Sequence, residues 1–470
     1  MSLKMRSSKP KSPTSSPSLP QNTFQTSRWG ASITSGTEER VQTRAENAEQ
    51  ALKLSKEIDS LLQEGRKQLE RRKKATKILL LGQSESGKSS FLKNFQLTFA
   101  PKHFDSERLV WRIIIQLNII GSIKTILDAL AEECEPLGPY SSNAGSPNTS
   151  KSALLYLRRM RFALSPLFSI ESDLLKMLAP DCTDSRDMSV RAGAGWKTLL
   201  RRKSSNHDPS ESWDVRPMLT PELDPTPVFA AQRDDIIAFW NDSEVQDILR
   251  RRKPRIRDTP GFFLDDLSRI AVSNYVPTDS DIIRARIKTM GVEEHTFLVE
   301  RGRDANTEFM ITDVGGTRHQ RASWAPFFDD VQAILFLAPL AFNQMLEEDS
   351  KVNRLEDSLY LWRDLCGNRL LVQANIILFF NKMDVLASNL AAGVMVKKYV
   401  PTFGDLPNDV PTVTKYFKDK FRIYHKKLSP EPRPFLSYET SAIDIKSMGV
   451  LLSGVREAIL RQNLRHGDML

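Results

Sequence analysis

Apolar and polar positions follow two periods along the chain. Between about 40 and 74, Ala48, Leu52, Leu54, Ile58, Leu61, Leu62 and Leu69 recur at helical spacing among Glu, Gln, Lys and Arg, which predicts one long amphipathic helix over 38–75. The next run, Thr76–Leu81, ends in Gly82 and reads as a buried strand. Further strands are expected at His295–Glu300, Glu308–Thr312, Ala333–Leu337, Ile376–Phe380 and Pro434–Tyr438, with helical patterns between several of them. Strands alternating with helices imply an α/β domain with a doubly wound, mostly parallel sheet, built from 76–102 and 281–470. From 103 to 280 no comparable strand occurs, only helical patterns such as Leu109–Leu130 and Ser152–Met177, so an all-helical domain is expected as an insertion.

Composition narrows the class. At about 150 residues per domain, 470 residues give roughly three folded units, and 40% apolar with 27% charged residues is ordinary for a globular chain. The longest apolar run, Ala333–Phe342, contains Pro339 and falls far short of the roughly 18 residues that cross a bilayer. The start Met-Ser-Leu-Lys-Met-Arg has no apolar stretch behind it, so no secretory signal is read and the chain is expected to stay inside the cell. Cys134, Cys182 and Cys366 form no C-x-x-C pair and the six histidines do not cluster, which argues against a disulfide framework or a transition-metal site. The net charge of +9 invites a nucleic-acid reading, but its location weakens it. Residues 1–37 carry Lys4, Arg6, Lys9, Lys11 and Arg28 with no acid among many Ser and Pro, and read as a disordered basic tail. More basic residues, including Arg201-Arg202-Lys203, fall in a Pro/Ser-rich insertion over 182–227. No aromatics interleave with these charges, so a solvated or membrane-touching role is expected and no nucleic acid.

The first strand runs into Gly82-Gln83-Ser84-Glu85-Ser86-Gly87-Lys88-Ser89, a G-x-x-x-x-G-K-[ST] phosphate loop between strand and helix. The glycines let backbone N–H groups face phosphates, the next helix offers its positive N-terminus, Lys88 reaches the β/γ-phosphates and Ser89 ligates Mg²⁺. That pattern does not choose between ATP and GTP. Asn381-Lys382-Met383-Asp384 follows a strand, where open α/β sheets bind ligands, and the Asp384 carboxylate can accept from guanine N1–H and N2–H₂. Adenine offers no such donor pair and would leave the carboxylate unpaired. Thr440-Ser441-Ala442 follows the last strand and strengthens the guanine reading. Asp313-Val314-Gly315-Gly316 ends another strand, where a carboxylate can hold Mg²⁺ through water and a Gly N–H can meet a γ-phosphate.

With these motifs in order, the chain resembles the alpha subunits of heterotrimeric G proteins, from about Ala51 to Leu470 apart from 182–227 and a Ser/Asn/Gly stretch near 140–151. Glu85–Ser89 resembles the family's phosphate loop, Tyr275-Val276-Pro277-Thr278 and Arg284-Ala285-Arg286-Ile287-Lys288-Thr289 its second linker and first switch, and Asn463-Leu464 falls in the last helix. The resemblance implies a Ras-like P-loop GTPase domain with the inserted helical domain, binding GTP or GDP with Mg²⁺. It implies nucleotide contacts from Glu85, Ser86, Gly87, Lys88, Ser89, Ser90, Asp258, Thr259, Arg284, Arg286, Thr289, Asp313, Gly316, Asn381, Lys382, Asp384 and Ala442. Arg286 would be the arginine supplied in cis to stabilise transition-state charge, and Glu85 would pair with it in the resting form. Ser89 and Thr289 would ligate the metal directly, and Asp313 through water.

Two departures touch the chemistry. Where the family has the Gln that orients the attacking water, this chain has Thr317, whose hydroxyl cannot present both a carbonyl and an amide. Ser84 replaces a usual Gly and puts a side chain close to the γ-phosphate. Both imply slow hydrolysis, unless His319 or Gln320 positions the water instead. The implied partners are a beta-gamma dimer on the N-terminal helix and switch two, a seven-helix receptor at the C-terminal helix ending Gly467-Asp468-Met469-Leu470, and an effector. Switch two, Arg318–Trp324, keeps Arg321 and Trp324 but lacks the paired Lys usual before the Trp, which bears on beta-gamma affinity. No Met-Gly start and no Cys before Cys134 carries an acylation signal, so the basic tail is left to touch the inner face of the plasma membrane from a cytoplasmic pool. The alternatives are a GTP-binding scaffold with negligible hydrolysis and an unrelated P-loop ATPase or kinase, the latter disfavoured by Asp384 and Arg286.

Overall fold

The computed structural model describes residues 34–134, 147–178, 184–187, 189–191, 224–252, 256–300 and 307–467. Most of the expected tail 1–37, most of the insertion 182–227, the 140–146 stretch, the terminal 468–470 and the side chains of Asp258 and Thr289 lie outside the described residues. The chain divides into two compact units, one through Glu70 and one from Arg71 to Leu470. The first is dominated by the helix Thr34–Lys74, which starts before residue 38 because its Thr/Ser/Gly opening carries no apolar marker. Its apolar stripe is uncovered: Leu52, Ile58, Leu62 and Leu69 are 47–61% exposed.

The second unit is organised by a sheet of six strands in the order β4-β5-β1-β6-β7-β8. They are β1 (Thr76–Gly82), β4 (Val292–Leu298), β5 (Glu308–Val314), β6 (Ala333–Pro339), β7 (Asn375–Asn381) and β8 (Leu436–Glu439). Only β4 and β5 pair antiparallel; every other neighbour is parallel. Continuous apolar runs suit strands covered on both faces. Leu79 and Leu81, with Ile334, Phe336, Leu378 and Phe380, join one core cluster, while Ile78 and Leu80, with Leu335, Leu337, Ile377 and Phe379, join the other. Leu80 faces Asp313 across β1–β5, and Asn381 faces Pro339 across β6–β7, so the phosphate loop, Asp313 and Asn381 gather on the carboxyl edge of the sheet.

A third cluster, running from Phe104 to Ala285, is built by the helices between β1 and β4. The expected single helix Ser152–Met177 is two, Pro147–Ala163 and Ser165–Leu178, since Pro166 has no N–H to continue the first ladder. The insertion also holds a short strand that periodicity did not mark, β2 (Ser189–Arg191), paired parallel with β3 (Lys288–Met290). The helix Arg108–Cys134 corrects the expectation from apolar runs: with a mean hydropathy of 1.6 it is apolar enough to cross a membrane, although Gln116, Asn118 and Lys124 interrupt every run. Of its most apolar 18-residue window, 78% is buried, and it packs in the core of the insertion.

Behind the sheet, His425 stacks on Trp362 with ring centroids 6.0 Å apart and meets the Phe435 ring at 5.4 Å. Its Nε2 has no hydrogen-bond partner. Burial, with the Arg433 guanidinium adding to it, pushes the imidazole from 6.5 down to about 4. Between those values the unfolded chain takes up a proton that the folded chain refuses, so stability is lost as pH falls from 6.5 toward 4, by about 3 kcal/mol at most. Urea unfolding at pH 7 and pH 4.5 should show this loss, and His425→Phe, which keeps the ring stack, should reduce it; an identical pH slope in the variant would contradict the assignment.

Candidate nucleotide-binding site

The loop Gly82–Gly87 turns through left-handed backbone at Glu85 and Gly87, and at Gly82 and Gly87 there is no room for a Cβ. Gly87 lies at φ 99°, and a Cβ there would come within 2.1 Å of Asn381 Nδ2. That amide donates to Ser86 O at 2.8 Å, while Asn381 Oδ1 accepts from the Ala442 N–H at 3.1 Å and the Thr440 hydroxyl at 3.3 Å. One carboxamide therefore joins the phosphate loop to the loop after β8. Lys382, at φ 61°, is held in the left-handed region, and burial lowers its pKa. Asp384, in the first turn of the helix Met383–Ala391, is exposed and accepts from the Ser441 hydroxyl at 2.6 Å.

Lys88 is buried and turns its Nζ back to Gly82 O at 3.0 Å and Gln83 O at 2.8 Å. Burial pushes it down to about 8, with Asp313 pulling the other way. The Ser86 hydroxyl is buried without a hydrogen-bond partner and lies against Gly82, where a Cβ would stand 2.7 Å from it. Ser89 donates to Asp313 Oδ2 at 3.2 Å, which brings a hydroxyl and a carboxylate together at the end of β5. Such hard oxygen donors fit Mg²⁺. The backbone of Thr289 lies in β3.

Glu85 pairs with Arg286 at 2.8 Å and with Arg354 at 3.3 Å. Burial alone would raise its carboxyl; Arg286, then Arg354 and two lysines, carry it below its ordinary value. Arg286 also has Glu347 at 3.7 Å. Gly316 approaches the phosphate loop so closely that a Cβ would stand 2.4 Å from Ser84 N. Beyond it, the Thr317 hydroxyl donates to Gln320 Oε1 at 2.7 Å and has His319 Nε2 at 3.3 Å, and Trp324 Nε1 donates to Gly315 O at 3.0 Å.

Not every residue expected at the nucleotide is drawn there. Arg284 is engaged in the helical insertion, donating to Asp266 at 3.0 Å and to Phe262 O at 2.8 Å. Ser90 donates to Ile283 O at 3.1 Å, and Thr259 is exposed with its hydroxyl on Ile256 O. Conversely, sequence reasoning missed Arg354 and Asp357. Arg354 donates to Ser84 O at 2.8 Å, and Asp357 takes a two-point contact from Arg321 at 2.9 and 2.6 Å and a bond from Gln83 Nε2 at 2.8 Å. No local motif marks these; the available signal is the Asn353 cap, which fixes where their helix begins.

A strand ending in a phosphate loop, a carboxylate beside its Ser, an Asn-Lys-x-Asp at a third strand end and a helical insertion between β1 and β4 define a P-loop GTPase with an inserted helical domain. The sequence profile of the family "G-protein alpha subunit" matches residues 53–459, and the chain belongs to that family. It is 30% identical to guanine nucleotide-binding protein subunit alpha-13 of Mus musculus, over 89% of this chain and 92% of the relative. It is 29% identical to the alpha-4 subunit of Mycosarcoma maydis, over 83% of each, and 28% identical to the alpha-16 subunit of Caenorhabditis elegans, over 89% and 96%. The protein is a guanine-nucleotide-dependent signalling switch and a GTPase.

Gly87→Ala should lower stability by about 1–3 kcal/mol, from the left-handed backbone and the collision with Asn381. Adding Asn381→Ala should recover part of that loss in a thermal melt, because the colliding amide is gone; strictly additive losses would show that backbone strain alone is responsible.

Proposed function

We propose that this alpha subunit holds GDP or GTP in the cleft at the carboxyl edge of the sheet and hydrolyses GTP slowly. The observation that carries this reading is the Asn381 carboxamide, which ties the phosphate loop to the loop where Ser441 meets Asp384. Asp384 reads the guanine edge, and the Ala442 backbone lies beside it. Gly87, Ser86 and the start of the following helix cradle the phosphates, and Lys88 leaves its carbonyl partners for the β/γ-phosphates. Ser89 and Thr289 would hold Mg²⁺ with Asp313 beside them, and the ion when bound would supply positive charge to the phosphates. The Gly316 N–H meets the γ-phosphate, and Arg286 releases Glu85 to face charge developing on the transferred phosphoryl group. Asp258, Thr259 and Arg284 contribute from the side of the helical insertion, Arg284 leaving Asp266 to do so.

Slow turnover follows from Thr317 and Ser84. The Thr317 hydroxyl is spent on Gln320 and is too short to hold a water and the γ-phosphate together. The same contact favours a second reading, a switch that signals by occupancy with negligible hydrolysis. The exposed stripe of the helix Thr34–Lys74 suits a beta-gamma dimer, and the helix Ile445–Gly467 suits a receptor. An effector reads the switches, and the basic tail touches an anionic inner leaflet from the cytoplasmic side.

Asp384→Asn should weaken GTP by about 10- to 100-fold and favour xanthine nucleotide, because the donor–acceptor pattern at that edge is reversed; equal affinity for both nucleotides would refute the guanine assignment. Ser89→Asn should abolish Mg²⁺-dependent GTP binding, and unchanged binding would count against the metal site. In single-turnover phosphate release, Thr317→Gln should accelerate hydrolysis by about ten-fold or more, and further with Ser84→Gly. A wild-type rate that Thr317→Gln leaves unaltered would show that another residue orients the water.

A further inference from the structure

Arg286 lies in neither helix nor strand, between the helix Asp279–Arg284 and β3, yet its backbone is held by side chains from two sides. From one side comes Asn118, on the buried helix Arg108–Cys134 of the insertion. Its Oδ1 accepts the Arg286 N–H at 2.8 Å and its Nδ2 donates to Arg286 O at 3.0 Å. Only one orientation of the carboxamide satisfies both, so the contact fixes the Asn as well as the backbone it holds. Gly261 closes over this contact: at φ 79°, a Cβ there would stand 2.8 Å from Asn118 Oδ1 and 2.9 Å from the Arg286 Cβ. From the other side comes Lys93, on the helix that begins at the phosphate loop. Its Nζ donates to Ala285 O at 2.6 Å and to Ile282 O at 2.9 Å, and lies 4.0 Å from the centre of the Trp111 ring.

We propose that Asn118 and Lys93 are positioning residues for Arg286, setting its backbone from the helical insertion and from the phosphate-loop helix respectively. With the peptide groups on both sides of its Cα fixed, the Arg286 side chain starts from a set point and swings only between Glu85 and the γ-phosphate. Thr317 leaves the water poorly held, so the placement of Arg286 carries more of the remaining catalysis. The inference rests on the reading that Arg286 faces the transferred phosphoryl group.

Hydrolysis of preloaded GTP in a single turnover, followed over hours, tests it in a double-mutant cycle. Asn118→Ala should slow phosphate release by about ten-fold or more while GTP affinity stays within about two-fold, since displacements near 1 Å can cost about 100-fold. Lys93→Met, which keeps the chain over Trp111 but loses both donations, should behave likewise. Asn118→Asp, which still accepts the Arg286 N–H, should fall between. In the Arg286→Ala background, none of the three should slow hydrolysis further. The same fold-loss in both backgrounds, or no loss in the otherwise wild-type chain, would overturn the proposal. An Arg286→Ala rate equal to wild type would overturn the underlying reading instead, and the clamp's catalytic meaning with it. If Asn118→Ala does not fold, Asn118→Asp and Lys93→Met carry the same cycle.

Discussion

The site depends on one side-chain amide. Asn381, at the end of β7 and buried, donates to the phosphate loop and accepts from the loop after β8. Loops at three strand ends cannot hold a mutual position by their own propensities, because each is fixed only where it leaves the sheet. A buried carboxamide that leaves neither end unsatisfied turns them into one surface. It does so with a geometric demand, since Gly87 must lack a Cβ for the amide to reach Ser86 O. The glycine of the phosphate loop is therefore required twice, for its backbone angle and for the room it leaves.

A second buried polar group does the same for the switch side. The Asp357 carboxylate receives Arg321 from switch two and Gln83 from the phosphate loop, while the neighbouring Arg354 binds Ser84 O and Glu85. Charges this buried contribute little net stability once desolvation is counted, but removing one partner strands the other, at a cost of about 3–5 kcal/mol. The arrangement is thus better suited to fixing geometry than to stabilising the fold. Gly316 lies against the Gln83–Ser84 backbone, and Arg321 reaches Gly316 O at 3.4 Å, so the phosphate loop and the segment after β5 meet at that glycine.

What could be read from the sequence divides along this line. Motif residues were legible because their chemistry is local: a glycine loop needs its spacing, and Asp384 needs only to follow a strand end. The central strands were legible because both faces of the sheet are covered there, which makes β1, β6 and β7 almost continuously apolar. Asn118, Lys93, Arg354 and Asp357 were not, since each acts on backbone or charge more than 150 residues away in several cases, as Asn118 does on Arg286. A polar residue on an apolar helix looks the same whether it faces water or a linker. Arg284 was legible as a motif residue, but its pairing with Asp266, 18 residues earlier, was not. The break at Leu164 was available in Pro166 but was hidden by apolar periodicity continuing through it.

The helical insertion has an apolar core of its own, from Phe104 to Ala285, separate from the two clusters that cover the sheet. Two cores that do not merge would leave their relative placement to the connecting chain, and the nucleotide cleft lies where that chain returns. Placement is supplied instead by polar contacts to backbone, Asn118 on Arg286 and Lys93 on Ile282 and Ala285. Lys93 loses hydration there, and burial pushes it down to about 7 against the pull of Glu107. Hydrogen bonds to main-chain groups are directional and tolerate no sliding, unlike an apolar interface of similar size. A joint built this way fixes the backbone of Arg286 more accurately than apolar packing alone, and so fixes where its guanidinium starts beside Glu85.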